Sequence, residues 1–293
     1  MGDDPGDHLV SISEAVPAVM EQVHRVGNQA CDIAGVATGF SDLDTVLGGV
    51  RPGTITLVAG LDSAALSAFT NGLLLQATSP IPSRVLFCTT TTNRWYTSLR
   101  LLSALARVPL ADTFGHRVGE TDRIRLDLAA EVLGTTPLWI LDHPMPTVEL
   151  VDQSLASLRE RGRPADIVVL DRPSRMATDG SGPVIGPVLD RLGEIAVSRH
   201  VAVVAIEPTS DPPELRPDLR PRLSDLPGAP VWIDHASAIV LVHDDALIDP
   251  VSPDRGWVEL HVVMNRFGQR TLCRLTFDDR VGLLADPIRP TEP

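Results

Sequence analysis

The sequence predicts an α/β protein with a mostly parallel sheet, helices on both faces of that sheet, and a C-terminal β-hairpin. Short, continuous apolar runs alternate with helix-length segments, a pattern that is typical of parallel strands buried on both faces. The last two β-rich runs are separated only by a short turn, which is typical of an antiparallel hairpin. The chain has 293 residues, enough for one large domain with a sizeable core.

The elements follow from these patterns in chain order. The expected strands are the apolar runs Ile55–Ala59, Val85–Cys88, Leu138–Leu141, Ile167–Leu170, Val201–Ile206 and Ala238–Val242. Apolar residues recur at helical spacing between them, and the expected helices are Ala64–Ala77, Tyr96–Ala106, Thr121–Leu133, Val148–Arg161 and Val188–Arg199. Trp257–Met264 and Thr271–Phe277 form the expected hairpin. Two segments are expected to be long loops: residues 177–187, which are rich in Gly and Pro, and residues 208–230, which are rich in Pro and charged residues. Loops that follow strands carry the ligands in such folds.

Residues 11–26 predict an amphipathic helix ahead of the main domain. The stripe consists of Ile12, Val16, Val19, Val23 and Val26 at spacings of three and four. The acidic residues before it lack the basic and apolar regions of a signal peptide. No apolar run approaches the roughly 18 residues that a membrane span needs. We therefore expect a cytoplasmic protein without a membrane segment, with a leader and helix over 1–34, a main domain over 35–286 and a disordered tail over 287–293.

The charge pattern limits the possible partners. The net charge is −13, and every basic residue is an arginine because the chain contains no lysine. An acidic surface disfavours non-specific binding to the phosphate backbone of nucleic acids. The three cysteines and eight histidines show no metal-ligand spacing, so no metal site is expected from them.

One segment follows a strand and begins a helix, as a phosphate-binding loop does. The pattern for such a loop is G-x-x-x-x-G-K-[ST], in which backbone N–H groups and the lysine bind phosphates and the hydroxyl binds Mg²⁺. Residues 60–67 match it at Gly60 and Ser67, but Ala65 and Leu66 stand at the second glycine and the lysine. By itself this match is weak.

Several further segments resemble one family in unbroken order. They are Gly35–Asp44, Gly48–Gly53, Leu99–Val108, Ile167–Asp171, Arg216–Leu226 and Asn265–Phe277. Together they resemble the C-terminal motor domain of DnaB-type replicative helicases, over roughly residues 11–277. The resemblance implies a RecA-like P-loop NTPase fold. It also implies that residues 11–26 occupy the place of the family's linker helix, with no counterpart expected for the family's N-terminal, primase-contacting domain.

The resemblance also implies which residues form the nucleotide site and which are altered. The degenerate site consists of Gly60, Ser63, Ala65, Leu66, Ser67 and Asp171. Four charged or polar family positions are changed, with Leu66 at the P-loop lysine, Thr91 at the catalytic glutamate, Glu207 and Pro208 at the sensor strand, and Met264 at the finger lysine. Ser67 and Asp171 remain where Mg²⁺ would bind, and Arg266 remains at the arginine-finger position.

These changes predict a protein that does not hydrolyse ATP. Loss of one preorganised electrostatic stabiliser lowers a rate by about 10²–10³, and loss of a general base by about 10²–10⁴. We expect no catalytic residue and no cofactor, or ATP with Mg²⁺ if the degenerate site still binds. The leading hypothesis is a pseudo-ATPase that acts as a regulatory or scaffold subunit. The alternatives are a nucleotide-binding switch without turnover and a divergent helicase or ATPase that uses Arg84, Arg94 or Arg172 in place of lysine.

The resemblance suggests two kinds of partner. The second long loop carries Arg216, Arg220 and Arg222 but also four acidic residues and no aromatic residue for base stacking, so single-stranded DNA binding is expected to be weak or absent. Self-association, or association with a DnaB-type helicase, is expected through residues 11–26 and Arg266.

Overall fold

A mostly parallel sheet forms the centre of the protein. The computed structural model describes residues 11–13, 16–17, 19–20, 33–79, 81–115, 117–178, 182–209 and 220–288. The strands are β1 (Ile55–Gly60), β2 (Val85–Thr89), β3 (Leu138–Leu141), β4 (Ile167–Asp171), β5 (Ala202–Pro208), β6 (Ala236–His243), β7 (Trp257–Asn265), β8 (Leu272–Asp278) and β9 (Leu283–Ala285). Their order in the sheet is β3-β2-β4-β5-β1-β6-β7-β8-β9. Pairing is parallel from β3 to β6 and antiparallel from β6 to β9, which confirms the predicted fold class.

Helices cover both faces of this sheet. They are α1 (Ser41–Leu47), α2 (Ala64–Leu75), α3 (Arg94–Ala106), α4 (Leu110–Phe114), α5 (Glu120–Thr135), α6 (Val148–Glu160), α7 (Ile185–Arg199) and α8 (Ala229–His235). The prediction missed α1, α4, α8 and β9, because seven residues or fewer are too few to show a periodic pattern. The predicted start of α3, at Tyr96, is two residues late. The helix begins at Arg94, because the Asn93 side chain caps it by accepting a hydrogen bond from Tyr96 N at 3.0 Å.

Alternating side chains of the strands divide the core between the two faces. On β1, Leu57 packs into a cluster with α6, α7 and α8, whereas Val58 packs into the cluster with α1 and α2. All six residues of β1 are buried, because β5 and β6 pair with its two edges and helices cover its two faces. A third, small cluster lies between α3 and α5. The end of β1 is thus held rigidly from every side.

The first described residues form parts of the predicted N-terminal helix. Residues 12–13, 16–17 and 19–20 are helical, and Ile12, Val16 and Val19 are exposed. Val23 and Val26 lie outside the described residues, as do most of the predicted leader and tail. Within the described part of the chain, no helix has the length and apolar character that a membrane crossing requires.

Two helical glycines give opposite expectations for the same substitution. A Cβ at Gly72 in α2 would lie 2.5 Å from Cζ of Phe40, a buried ring that stacks on Phe69, whereas a Cβ at Gly193 in α7 would have no atom within 4 Å. Gly193→Ala should raise the free energy of unfolding by about 0.5–1 kcal/mol through helix propensity. Gly72→Ala should lower it by about 1–3 kcal/mol through overpacking. Denaturant unfolding measures both, and equal stabilisation by the two would contradict this packing.

Candidate functional site

The carboxyl ends of four parallel strands meet around one narrow cavity. The register places Thr89 of β2 beside Asp171 of β4, and Gly60 of β1 beside Pro208 of β5. The cavity has a volume of about 50 Å³, and its lining includes Leu66, Ser67, Thr91, Arg100, Asp171 and Arg172. Ligands of open α/β sheets bind at this edge. The structure therefore brings Leu66, Ser67, Thr91 and Asp171, which are distant in sequence, to one place.

The backbone of residues 60–67 differs from a phosphate-binding nest. Such a nest needs successive N–H groups that point inward, which alternating right- and left-handed residues provide. None of these eight residues has a left-handed backbone. The Ser63 side chain caps α2 by accepting a hydrogen bond from Leu66 N at 3.3 Å. One of the amides at the start of α2 thus already has an acceptor within the protein.

Three positions of this segment serve packing. A Cβ at Gly60 would lie 2.6 Å from the carbonyl oxygen of Val242 on β6, so the close approach of two backbones requires glycine there. Ala65 is fully buried, and Leu66 is 5% exposed and belongs to the hydrophobic core under α2. An apolar side chain therefore fills the space at the lysine position.

Asp171 is bonded to the loop of residues 89–92, which we call the threonine loop. Its Oδ2 accepts hydrogen bonds from the hydroxyl of Thr89 at 3.1 Å and from the hydroxyl of Thr91. The Thr90 hydroxyl donates to the Asp171 carbonyl at 3.0 Å, and Thr92 and Thr97 share a further bond at 3.1 Å. Asp171 thus anchors the loop that carries the glutamate position of the pattern.

The arginines that the sequence suggested as substitutes for lysine lie in different places. Arg172 lines the cavity and pairs with Asp62 of the segment 60–67 at 2.5 Å. Arg84 pairs with Asp166 at 2.5 Å beside the amino end of β4, away from the cavity. Arg94 pairs with Asp142 at 3.4 Å just beyond β3. Only Arg172 of these three is in the site.

Sequence reasoning missed Arg100, which enters the cavity from α3. Its described hydrogen bond is one long contact, from Nη2 to the carbonyl oxygen of Ser67 at 3.5 Å. Desolvation lowers the pKa of the Arg100 guanidinium, and the nearby Asp171 charge opposes that shift. Its position three residues after the buried Thr97, in a helix that follows β2, is the signal that places it beside this edge of the sheet.

Glu207, which the resemblance places at the sensor strand, is not part of the cavity lining. It is 4% exposed and accepts two hydrogen bonds from Ser174, from N at 3.1 Å and from Oγ at 2.6 Å. Burial raises the pKa of the Glu207 carboxyl, and the two bonds from Ser174 and the Arg172 charge oppose the shift. Glu207 holds the turn after β4 in place.

The family can now be stated from comparison with known proteins. Residues 35–286 match the family described as DnaB-like helicase C terminal domain. The chain belongs to this family. It is 24% identical over 289 residues to the replicative DNA helicase DnaB of Leifsonia xyli and 21% identical over 271 residues to the replicative DNA helicase DnaC of Bacillus subtilis. These alignments cover 97% and 91% of this chain but only 63% and 60% of the relatives' lengths.

Two solved structures share the fold. One, described as an ATPase domain, superposes with a TM-score of 0.86 at 22% identity, covering 98% of this chain and all of that one. A DnaB-like replicative helicase, described with its interactions with primase, gives a TM-score of 0.84 at 21% identity over 95% of this chain and 69% of its own.

Arg266, which the resemblance places at the arginine-finger position, binds the end of a helix. Its Nη2 donates to the carbonyl oxygens of Ile233 at 2.8 Å and Asp234 at 3.0 Å, and its Nε donates to that of Ala236 at 2.9 Å. These carbonyls lie at the carboxyl end of α8, where a cation is favourable. The side chain therefore has a structural role within its own chain.

The arginines of the second long loop are separated by the structure. Arg216 lies outside the described residues. Arg220 pairs with the buried Glu259 of β7 at 3.1 Å, and Arg222 is exposed beside Asp225, whose carboxylate accepts from Arg222 N at 2.8 Å. Within the described ranges, no group of three His, Cys, Asp or Glu side chains is placed to hold a metal ion.

Asp171→Ala should destabilise the fold, because it removes the shared acceptor of the threonine loop. Loss of the carboxylate that accepts from the Thr89 and Thr91 hydroxyls should lower the free energy of unfolding by about 1–3 kcal/mol. Asp279→Ala, at an exposed turn, is the matched control and should stay within about 0.5 kcal/mol of the wild type. Thermal unfolding with and without Mg²⁺ measures both effects. A Mg²⁺-dependent rise in the wild-type midpoint that Asp171→Ala abolishes would instead identify a metal ligand.

Proposed function

We propose that this chain is a DnaB-like subunit that assembles with other subunits but does not turn over ATP. The observation that carries this proposal is the state of the two charged positions on which the family's chemistry depends. Leu66 replaces the phosphate-binding lysine with a core side chain, and Asp171 uses its Oδ2 to accept hydrogen bonds from the threonine loop. The absence of a cation at Leu66 and the internal bonding of the Asp171 carboxylate both reduce stabilisation of a developing phosphate charge.

The residues present do not fit ATP with Mg²⁺. Pockets for ligands of that size are about 300–1,000 Å³. The cavity lined by Leu66, Ser67 and Asp171 measures about 50 Å³, and the wider cavity beside it, of about 450 Å³, is lined by the threonine loop and not by the segment 60–67. The segment 60–67 also lacks the left-handed residues that turn amides toward phosphates. The Arg172–Asp62 pair joins the two loops beside the cavity. These features support a binding or scaffold role over catalysis.

One observation favours a second candidate, nucleotide binding without turnover. Arg100 places a guanidinium in the cavity lining, where the pattern has lost its lysine. A charge-assisted hydrogen bond to phosphate contributes about 1.5–3 kcal/mol, enough for measurable binding. Arg100 does not replace the general base, because Thr91 has no titratable carboxylate.

Phosphate release tests the absence of turnover. The protein with ATP and Mg²⁺, with or without single-stranded DNA, should release no phosphate above buffer, because the charged groups of the reaction are missing. The control is the same assay on Asp171→Ala. Phosphate release by a contaminating enzyme would be the same in both preparations. Turnover in the wild type that disappears in Asp171→Ala would overturn the proposal.

Two apolar stripes on the surface support assembly. The N-terminal helix exposes Ile12, Val16, Val19 and Met20, and α5 exposes Ile124, Leu128 and Val132 at a spacing of four residues. Of the sixteen residues of α5, only Ala129 is buried. Apolar stripes of this kind on helices mark sites where another helix packs.

The two stripes match in length, and neither covers the other within one chain. Eight residues separate Ile12 from Met20 and Ile124 from Val132, so each stripe extends about 12 Å along its helix. All seven side chains remain exposed in the single chain. We propose that the N-terminal helix of one subunit packs against α5 of a second copy or of a DnaB-type helicase. Arg266 would reach a partner's site only after releasing its three bonds to α8.

Charge substitutions in either stripe should dissociate the assembly. Val16→Asp and Leu128→Asp each place a carboxylate in the proposed apolar contact, where its desolvation is unfavourable. The matched control is Val197→Asp, because Val197 is 68% exposed on α7, outside both stripes. Light scattering at tens of micromolar should show an oligomer for the wild type and the control, and monomers for the two stripe variants.

Three results would contradict this contact. The proposed contact would be contradicted if the wild type is monomeric and does not change the ATPase rate of a DnaB-type helicase from the same cell. Retention of the oligomer in both stripe variants would place the interface elsewhere. Dissociation of all three variants alike would show a general effect of charge.

A further inference from the structure

We propose that three exposed aromatic rings form a binding surface for a proline- and arginine-rich segment of a second copy of this chain. The rings belong to Trp95 and Tyr96 of α3 and to Phe114 of α4, and together we call them the aromatic surface. The segment is residues 210–219, which belong to the second long loop and lie outside the described residues. This contact is separate from the helix contact proposed above.

The aromatic surface is a compact cluster that stays open to solvent. The ring centroids of Trp95 and Tyr96 are 4.9 Å apart, and that of Phe114 lies 5.9 Å from each of them. The three residues are 57%, 47% and 45% exposed. Tyr96 is the only tyrosine of the chain. Contiguous exposed aromatic rings are typical of surfaces on which another protein binds.

A cleft and two loose ion pairs border the aromatic surface. The cleft has a volume of about 450 Å³, and Tyr96 lines it together with the threonine loop and Asp142. Arg94 pairs with Asp142 at 3.4 Å, and Arg117 pairs with Asp112 of α4 at 3.8 Å. Both arginines are largely exposed, so each pair contributes little and can exchange its partner for a group of the ligand.

The threonine loop makes this cleft favourable for a cation. The hydroxyls of Thr89 and Thr91 donate to Oδ2 of Asp171, and that of Thr90 donates to the carbonyl oxygen of Asp171. Because these hydrogens are used within the protein, the hydroxyls retain only acceptor capacity. A guanidinium in the cleft would meet these acceptors, the carboxylate of Asp142 and the face of an aromatic ring.

The segment 210–219 has the chemistry that such a surface selects. It contains Pro212, Pro213 and Pro217, and Arg216 directly precedes the last of these. Proline fixes φ and biases the residue before it toward an extended backbone. In that conformation proline-rich segments bind aromatic-lined grooves. Arg216 supplies the guanidinium, and the acidic residues two positions away on either side match the two arginines that border the surface.

The two ends of the segment place it out of reach of the aromatic surface of its own chain. Thr209 directly follows β5, and Arg220 pairs with Glu259 of β7 at 3.1 Å. The surface lies beside β2 and β3, because Tyr96 shares its cleft with Asp142, which follows β3. In the sheet order, β5 is two strands and β7 five strands from β2, which is about 10 Å and about 24 Å at the usual spacing. The residues from 209 to 220 span at most about 40 Å, so a path to the surface and back leaves almost no length to lie on it.

Fluorescence anisotropy of a labelled synthetic peptide of residues 210–222 tests the surface on the full chain. A contact made by one short segment is weak, and we expect a Kd on the order of several hundred micromolar. Trp95→Ala should weaken binding at least about tenfold, as loss of a central aromatic contact does, and Arg216→Glu in the peptide should do the same. The matched control is Phe267→Ala, because Phe267 is 54% exposed on the turn between β7 and β8. It should leave the affinity unchanged.

Two variants of the full chain test whether a second copy supplies the segment. The chain has no lysine, so an amine-reactive dye labels the N-terminus alone. In a Val16→Asp background, a labelled Trp95→Ala chain keeps only the segment, and an unlabelled Arg216→Glu chain keeps only the aromatic surface. Adding the second chain at several hundred micromolar should raise the anisotropy of the first, whereas adding unlabelled Trp95→Ala chain should not. Because every chain carries Val16→Asp, the result does not depend on the helix contact.

The proposal fails under any of three results. Equal affinity of the wild-type protein for the original and the Arg216→Glu peptides would overturn it, and this comparison stays valid if Trp95→Ala fails to fold. Equal loss of peptide binding in Trp95→Ala and Phe267→Ala would show that the aromatic surface has no special part. Peptide binding without any pairing of the two chain variants would overturn the second copy as the occupant. Phosphate release, and light scattering at tens of micromolar, test the proposed function independently of this weaker contact.

Discussion

The confinement of β1 is the constraint on which the rest of the site depends. This strand is paired along both edges and covered on both faces, so all its residues are buried. It ends at Gly60, where a side chain would collide with the backbone of β6. The direction in which the chain leaves the sheet is therefore fixed, and α2 begins at one position over the carboxyl edge. The position of α2 in turn determines where the groups that line the cavity lie.

The charged side chains around the cavity largely neutralise one another, and this pairing limits what the carboxyl edge of the sheet can bind. In this chain the cations and carboxylates around the cavity largely bind one another or nearby hydroxyls, as Arg172 does with Asp62 and Asp171 with the threonine loop. A site prepared for chemistry on phosphates needs charges whose partners are in the ligand, because preorganised but unpaired groups stabilise developing charge. Arg100 is the described cation of the lining that comes nearest to this condition. This internal pairing is the physical basis of the proposed lack of turnover.

Much of the fold could be predicted from sequence, and less of the site. Continuous apolar runs such as those of β4 and β5 identify buried parallel strands directly, and the hairpin of β7 and β8 followed from two runs and a turn. Helices of one or two turns such as α4 leave no periodic trace. Asp171 was identified by the resemblance of its strand to that of the family, but its bonds to threonines depend on side-chain geometry. Arg100 was missed because its only sequence signal is its position one turn after Thr97 in the helix that follows β2, and its approach to the cavity depends on the packing of α3 against α2.

Three residues that the resemblance places at family positions have a structural task in this chain. Gly60 permits the close approach of β1 to β6, Asp171 anchors the threonine loop, and Arg266 caps the carboxyl end of α8. Leu66, which the resemblance places at the lysine position, is part of the core below α2. Because each retained residue stabilises the fold without any nucleotide, its presence does not require catalysis.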